Sequence, residues 1–86
     1  MWRIEFTHEA LKNLKRLPKR TRERIEIAID KLHDGPYNRK DIDVKVLHAR
    51  PEWRLRVGKW RVLFRVDNGR IIITVIAIDS RGDVYK

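Results

Sequence analysis

The chain has 86 residues, no cysteine, and 21 Lys and Arg against 12 Asp and Glu, for a formal net charge of +9. That length predicts one domain spanning residues 1–86, with a small core that buries only roughly 60–65% of the surface its unfolded form exposes. Disulfides and thiolate metal sites are excluded, and the charge favours polyanions (RNA, DNA or an acidic protein segment) as partners. The longest apolar run, "IIITVIAI" at residues 71–78, is far shorter than the ~20 residues of a membrane span. "MWRIEFTHEA" carries charge too often for a signal peptide. A soluble, cytoplasmic protein with no membrane partner is therefore expected.

"WRIEF" (2–6) alternates Trp2, Ile4 and Phe6 with Arg3 and Glu5, the pattern of a half-buried strand. Thr7 follows as a helix N-cap, with Glu9 in the first turn, where negative charge suits the helix dipole. Leu11, Leu14 and Leu17 mark one apolar stripe, and Pro18 breaks this helix and opens the next. Ile25, Ala28, Ile29 and Leu32 then predict a second helix running to about His33, stopped by Gly35 and Pro36. Residues 36–50 hold Ile42, Val44 and Val46 in alternation and read either as a short strand or as an extended loop. "WRLRV" and "WRVLFRV" are alternating runs joined by Gly58-Lys59, a two-residue hairpin signal. "DNGR" (67–70) is a second turn, and "IIITVIAI" reads as a strand apolar on both faces and so central. Strand, two-helix hairpin, then three or more strands in mostly antiparallel order make a small α+β fold with the helices on one face of the sheet.

The hairpin register pairs Val57 with Trp60, Arg56 with Arg61, Leu55 with Val62 and Arg54 with Leu63. Trp53, Leu55, Val57, Trp60, Val62 and Phe64 then share one face, and Arg54, Arg56, Arg61 and Arg65 share the other. Like charges directly opposite are destabilising, and an anion between them reverses the sign of the interaction, since the guanidinium fork matches phosphate oxygens. The alternative is a solvated polar face with Glu52 and Asp67 relieving the repulsion. The basic stretch "KNLKRLPKRTRER" (12–24) reads in two ways as well, as a phosphate-contacting surface or as a solvated helix face. Trp53 and Trp60 fall on the apolar face, where core positions are commoner than base-stacking platforms.

"LHARPEWRLRVGKWRVLFRV", "NGRIIITVIAI" and "SRGDVYK", in that order behind a strand and two helices, resemble the RelE/ParE superfamily of toxins from type II toxin–antitoxin pairs. The resemblance covers nearly the whole chain and implies a RelE-like microbial RNase fold. RelE-like members cut mRNA in the ribosomal A site, whereas ParE-like members share the fold, lack the nuclease residues and poison DNA gyrase. Carried over to this sequence, the RelE-like catalytic set is Arg54, Arg56, Arg61, Arg81 and Tyr85. Arg54 and Arg56 stand where the best-known members have lysines, and arginine is a very poor proton acceptor. The resemblance further implies a cognate antitoxin, the ribosome and mRNA as partners, and operator DNA only through the antitoxin complex.

Cleavage of RNA without a metal needs a base for the 2′-hydroxyl proton, stabilisation of the phosphorane and a proton for the 5′-oxygen. The arginines suit the second task. Tyr85 is the candidate for the first if guanidinium neighbours lower its pKa, or it stacks on a base. His48 and Asp43 are the other possible proton acceptors, His48 reading equally as a solvated loop residue. His8 and His33 sit at helix ends and serve local structure. No cofactor is expected, and the spacing of the three histidines suggests no metal site. Three readings compete: a ribosome-dependent mRNA endonuclease, a ParE-like gyrase inhibitor, and a non-catalytic nucleic-acid-binding module.

Overall fold

The computed structural model describes residues 1–80. In chain order it contains β1 (Arg3–Phe6), α1 (His8–Lys15), α2 (Lys19–Asp30), a 3-10 turn (Lys31–Asp34), β2 (Asp43–Val46), β3 (Trp53–Val57), β4 (Trp60–Asp67) and β5 (Ile72–Ser80). The five strands form one sheet in the order β1-β5-β4-β3-β2. Only β1 and β5 run parallel, and every other pairing is antiparallel. This is the α+β arrangement expected, with β4 rather than β5 in the middle of the sheet. The ambiguous stretch after Pro36 supplies the edge strand β2.

Each helix is delimited by local chemistry. Thr7 caps α1, its Oγ1 accepting from the Ala10 N–H at 3.1 Å. Pro18, fixed at φ −56°, stands at the N-cap of α2 without a side-chain bond to it. The regular helix stops at Asp30, earlier than the apolar spacing predicts, because the next four residues tighten into the 3-10 turn, which keeps Leu32 fully buried. Gly35 then turns the chain at φ +95°, and a Cβ there would lie 2.9 Å from Trp2 Nε1. This position needs glycine for its backbone angle and for the close approach of the indole.

The core lies between the helices and one face of the sheet. Leu14, Leu17, Ile25 and Ile29 meet Leu55, Val62, Phe64, Ile73, Val75 and Ile78, with Trp53, Val57 and Trp60 packed around them. Both hairpin tryptophans thus belong to the apolar layer. Tyr37, edge-on to Trp2 at 6.3 Å and to Trp53 at 5.4 Å, closes one end of that layer.

β5 carries a bulge. Leu63 pairs with Ala77 and Phe64 with Val75, so Ile76 is an extra residue. A bulge shifts side-chain parity by one. Ile73 and Val75 face the core on one side of it, and Ile78 faces the core on the other. Asp79 is thereby moved to the opposite face, directly across from Arg61. Beyond the bulge, side chains of α1 replace the missing neighbour strand. Thr7 Oγ1 donates to the Ile76 carbonyl at 2.7 Å, and Asn13 Oδ1 accepts from the Ile78 N–H at 2.9 Å.

The β4–β5 turn lies where "DNGR" marks it and extends to Ile71. The positive φ falls on Ile71 (+57°), not on Gly69, and Asp67 Oδ1 accepts from the Arg70 N–H at 3.1 Å. Asp67 is therefore a turn residue and does not relieve the arginines.

Thr7 serves two hydrogen bonds of different elements. Thr7→Val should lower the free energy of unfolding by about 1–2 kcal/mol, measurable by urea denaturation with an unchanged m-value.

Candidate active site

The register inferred for the hairpin is the one observed: Arg56 lies opposite Arg61, and Arg54 opposite Leu63. Gly58 supplies the positive φ of the turn, at +60°. Arg54, Arg56 and Arg61 lie on the sheet face away from the helices. Their charges are largely balanced by carboxylates of this chain. Arg54 Nη2 donates to Asp43 Oδ1 at 3.0 Å, and Arg56 Nη2 lies 2.8 Å from Asp43 Oδ2. Arg61 donates from Nε and Nη2 to the two oxygens of Asp79, each at 3.3 Å. Three guanidinium groups against two carboxylates leave one positive charge uncompensated.

The three arginines differ in accessibility. The Arg61 side chain is 9% exposed and Arg54 14%, whereas Arg56 is 39% exposed. Arg61 is held in a nearly closed ion pair, and Arg56 is the one open to an incoming anion. Arg54 Nε is buried with no hydrogen-bond partner among the described residues. Beside this face, Arg56 and Asp43 line a groove of about 290 Å³ between α2 and the β2–β3 edge, together with Arg24 and Lys31. Arg65 turns instead to Glu52, which accepts from Arg65 Nη2 at 3.4 Å and from Arg50 Nε at 2.8 Å. The expected relief of the arginine face by Glu52 is thus confined to Arg65.

The candidate proton acceptors separate. Asp43 has both oxygens engaged by guanidinium groups. His48 is exposed in the β2–β3 turn, which opens beyond the Val46–Trp53 pair. That end of β3 is about 10 Å from Arg56 at ~3.4 Å per residue. His33 is structural, with Nδ1 2.8 Å from the Trp2 carbonyl. Arg81 and Tyr85 lie outside the described residues. The strand leading to them ends at Ser80, paired with Trp60, one residue past the Arg61–Asp79 pair. The sequence reading missed Asp79 as a counter-charge and named Asp43 only as a possible proton acceptor, without its arginine partners. The available signal for Asp43 was its place in the alternating run with Ile42, Val44 and Val46, which pairs it with Arg56 once that run is a strand.

The family model described as the ParE toxin of type II toxin–antitoxin systems matches residues 4–85. This chain belongs to the RelE/ParE toxin superfamily. Among curated proteins, the toxin superfamily relatives include a putative toxin RelE1 of Methanocaldococcus jannaschii, 32% identical over 84 residues, covering 96% of this chain and 93% of that protein. Toxin RelG of Mycobacterium tuberculosis is 27% identical over 86 residues, covering 96% and 94%. Among solved structures, the archaeal RelE–RelB complex of Pyrococcus horikoshii superposes with a TM-score of 0.80 at 27% identity, covering 94% of this chain and 96% of that one. Members of the RelE/ParE superfamily thus share this fold over nearly its whole length.

Glu52 is a titratable group perturbed by its surroundings. Burial pushes its carboxyl up, but the Arg50 guanidinium, and Arg65 after it, outweigh that and hold it below the usual value of 4.5. A depressed carboxyl stabilises the fold above its unfolded pKa, and that contribution is lost as pH falls through the folded value. Melting temperature should therefore decline below pH 4.5, and Glu52→Gln should flatten that acid limb while lowering the plateau at neutral pH, as read by thermal unfolding across pH.

Proposed function

We propose that this protein is the toxin of a type II toxin–antitoxin pair and acts as a metal-independent, ribosome-dependent mRNA endonuclease. The observation that carries this reading is the arginine hairpin. Its register sets Arg54, Arg56 and Arg61 on one face, at positions matching the RelE-like catalytic set, in a chain whose curated relatives are named RelE1 and RelG. In the proposed reaction the 2′-oxygen attacks the adjacent phosphorus, a P–O2′ bond forms, and the P–O5′ bond breaks. Arg54, Arg56 and Arg61, with Arg81, meet the charge that grows on the phosphorane. Tyr85 takes the 2′-hydroxyl proton, a role favoured by the distance of His48. The 5′-oxygen leaves with a proton.

The helical hairpin supports a ribosomal partner. Lys12, Lys15, Arg16, Lys19, Arg20, Arg22 and Arg24 enter no ion pair among the described residues, so this surface, unlike the sheet face, has its positive charge free for RNA phosphates. The proposed inhibitor is an antitoxin of the kind named in the Pyrococcus complex, with operator DNA bound only by the toxin–antitoxin assembly. No helix among the described residues is long and apolar enough to cross a membrane; a cytoplasmic site of action belongs to the proposal.

A second reading is a ParE-like gyrase inhibitor. It is favoured by the description of the matching family model and by the neutralisation of Arg54 and Arg61 within the chain. Mapping mRNA ends in a translating extract separates the two. Codon-phased cuts present with the wild type and lost with the Arg81→Ala, Tyr85→Phe double variant are the expected result. Intact mRNA together with accumulating gyrase–DNA cleavage complexes would sink the nuclease reading. Undiminished RNA binding without cuts leaves the nucleic-acid-binding module. If the helical hairpin docks on RNA, replacing Lys15, Lys19 and Arg20 with Gln should reduce the slope of log affinity against log salt by roughly 1 per cation removed, measured by ribosome co-sedimentation across salt.

A further inference from the structure

Asp43 stands in an unusual position. It is the first residue of β2, an edge strand of four residues that pairs only with β3. One of its oxygens takes Arg54 Nη2 and the other takes Arg56 Nη2, at 3.0 and 2.8 Å. A carboxylate that bridges two guanidinium groups through separate oxygens reproduces what two non-bridging oxygens of a phosphate present to an arginine pair. The pair is nevertheless incompletely served. Arg54 Nε remains buried with no partner among the described residues, since Asp43 as placed reaches Arg54 only at Nη2. A tetrahedral phosphate has a further oxygen.

We propose that Asp43 is a tethered competitor for the anion site. Its carboxylate occupies the phosphate position between Arg54 and Arg56, and an incoming phosphate group displaces it. Displacement is easy for three reasons visible in the structure. The carboxylate is 35% exposed and Arg56 39% exposed, the range in which ion pairs contribute little. The strand that carries it has a neighbour on one side only. The groove bordered by Asp43 and Arg56 holds two further cations, Arg24 and Lys31, against one further carboxylate, Asp41, a balance that favours an anion of higher charge over a single carboxylate. Asp43 thereby sets the affinity of the arginine pair and halves its net charge when no substrate is bound. The inference deepens the nuclease reading and rests on its anion site, but not on cleavage.

The test is a titration of the full chain with inorganic phosphate, followed by NMR through the Nε–H resonances of Arg54 and Arg56. Asp43→Asn should lower the half-saturating phosphate concentration by about fivefold, the upper range for release of an exposed ion pair. Glu26→Gln, on an exposed position of α2, removes the same charge and should change it less than about twofold, the share due to net charge alone. Adding Arg56→Ala to Asp43→Asn should abolish the gain. Asp43→Ala serves as a second variant should the asparagine fail to fold, with the same direction expected. Equal effects of Asp43→Asn and Glu26→Gln, or weaker phosphate binding in Asp43→Asn, would overturn the proposal; the latter would make Asp43 an organiser of the arginines. Because the readout is anion occupancy, tighter phosphate binding in a protein that leaves mRNA intact would refute the nuclease reading alone.

Discussion

Two guanidinium groups set directly across a β-hairpin repel each other, and the rest of this sheet is arranged to make that tolerable. Directly opposite residues have Cβ atoms about 4.5–5.5 Å apart, too close for two positive charges to be ignored in a fold with a small core. The chain answers with a carboxylate on each flank. Asp43 arrives from the edge strand on one side of the pair and Asp79 from β5 on the other. Neither can be supplied by the hairpin itself, whose outward positions are Arg54, Arg56, Arg61, Leu63 and Arg65.

Delivery of those carboxylates depends on backbone features remote from the arginines. Asp43 is opposite Arg56 only because β2 pairs antiparallel with β3 in one register. Asp79 is opposite Arg61 only because of the extra residue at Ile76; strict alternation from Ile73 and Val75 would turn Asp79 into the apolar layer. The same bulge returns Ile78 to the core. One inserted residue thus satisfies two demands at once, an apolar contact on one face and a counter-charge on the other. The electrostatics of the two faces of the molecule diverge as a result. The sheet arginines are nearly neutralised, while the cations of the helical hairpin keep their full field.

Much of this was legible in the sequence. The hairpin register followed from the Gly58-Lys59 turn and the strict alternation on both sides, and it held residue for residue. Helix positions followed from Thr7, Pro18 and the spacing of Ile25, Ile29 and Leu32. The bulge was hidden because residues 71–78 are apolar almost throughout, so no change of parity shows against a uniform background. The same uniformity concealed Ile71 as a turn residue, since it reads as the first residue of the apolar run. The counter-charges were missed for a related reason. Asp43 sat in a stretch whose strand character was uncertain, and its partner could not be named until the pairing was known. Glu52 and Asp67 were judged by proximity in sequence, and geometry kept the first for Arg50 and Arg65 and gave the second to the turn.

The side chains of α1 that bond to β5 have an effect on how the molecule behaves in company. A sheet with an open flank offers unpaired N–H and C=O groups to any extended chain, which is the usual route to strand-mediated aggregation. Here β1 stops opposite Val75, and Thr7 and Asn13 take up backbone groups of Ile76 and Ile78 beyond it. The remaining borders of the sheet are β1 and β2, four residues each, with Arg3, Glu5, Asp43 and Lys45 along them. Short, charged borders are poor templates for a further strand. A highly basic chain in this way offers, among its described residues, few backbone groups for indiscriminate pairing with copies of itself.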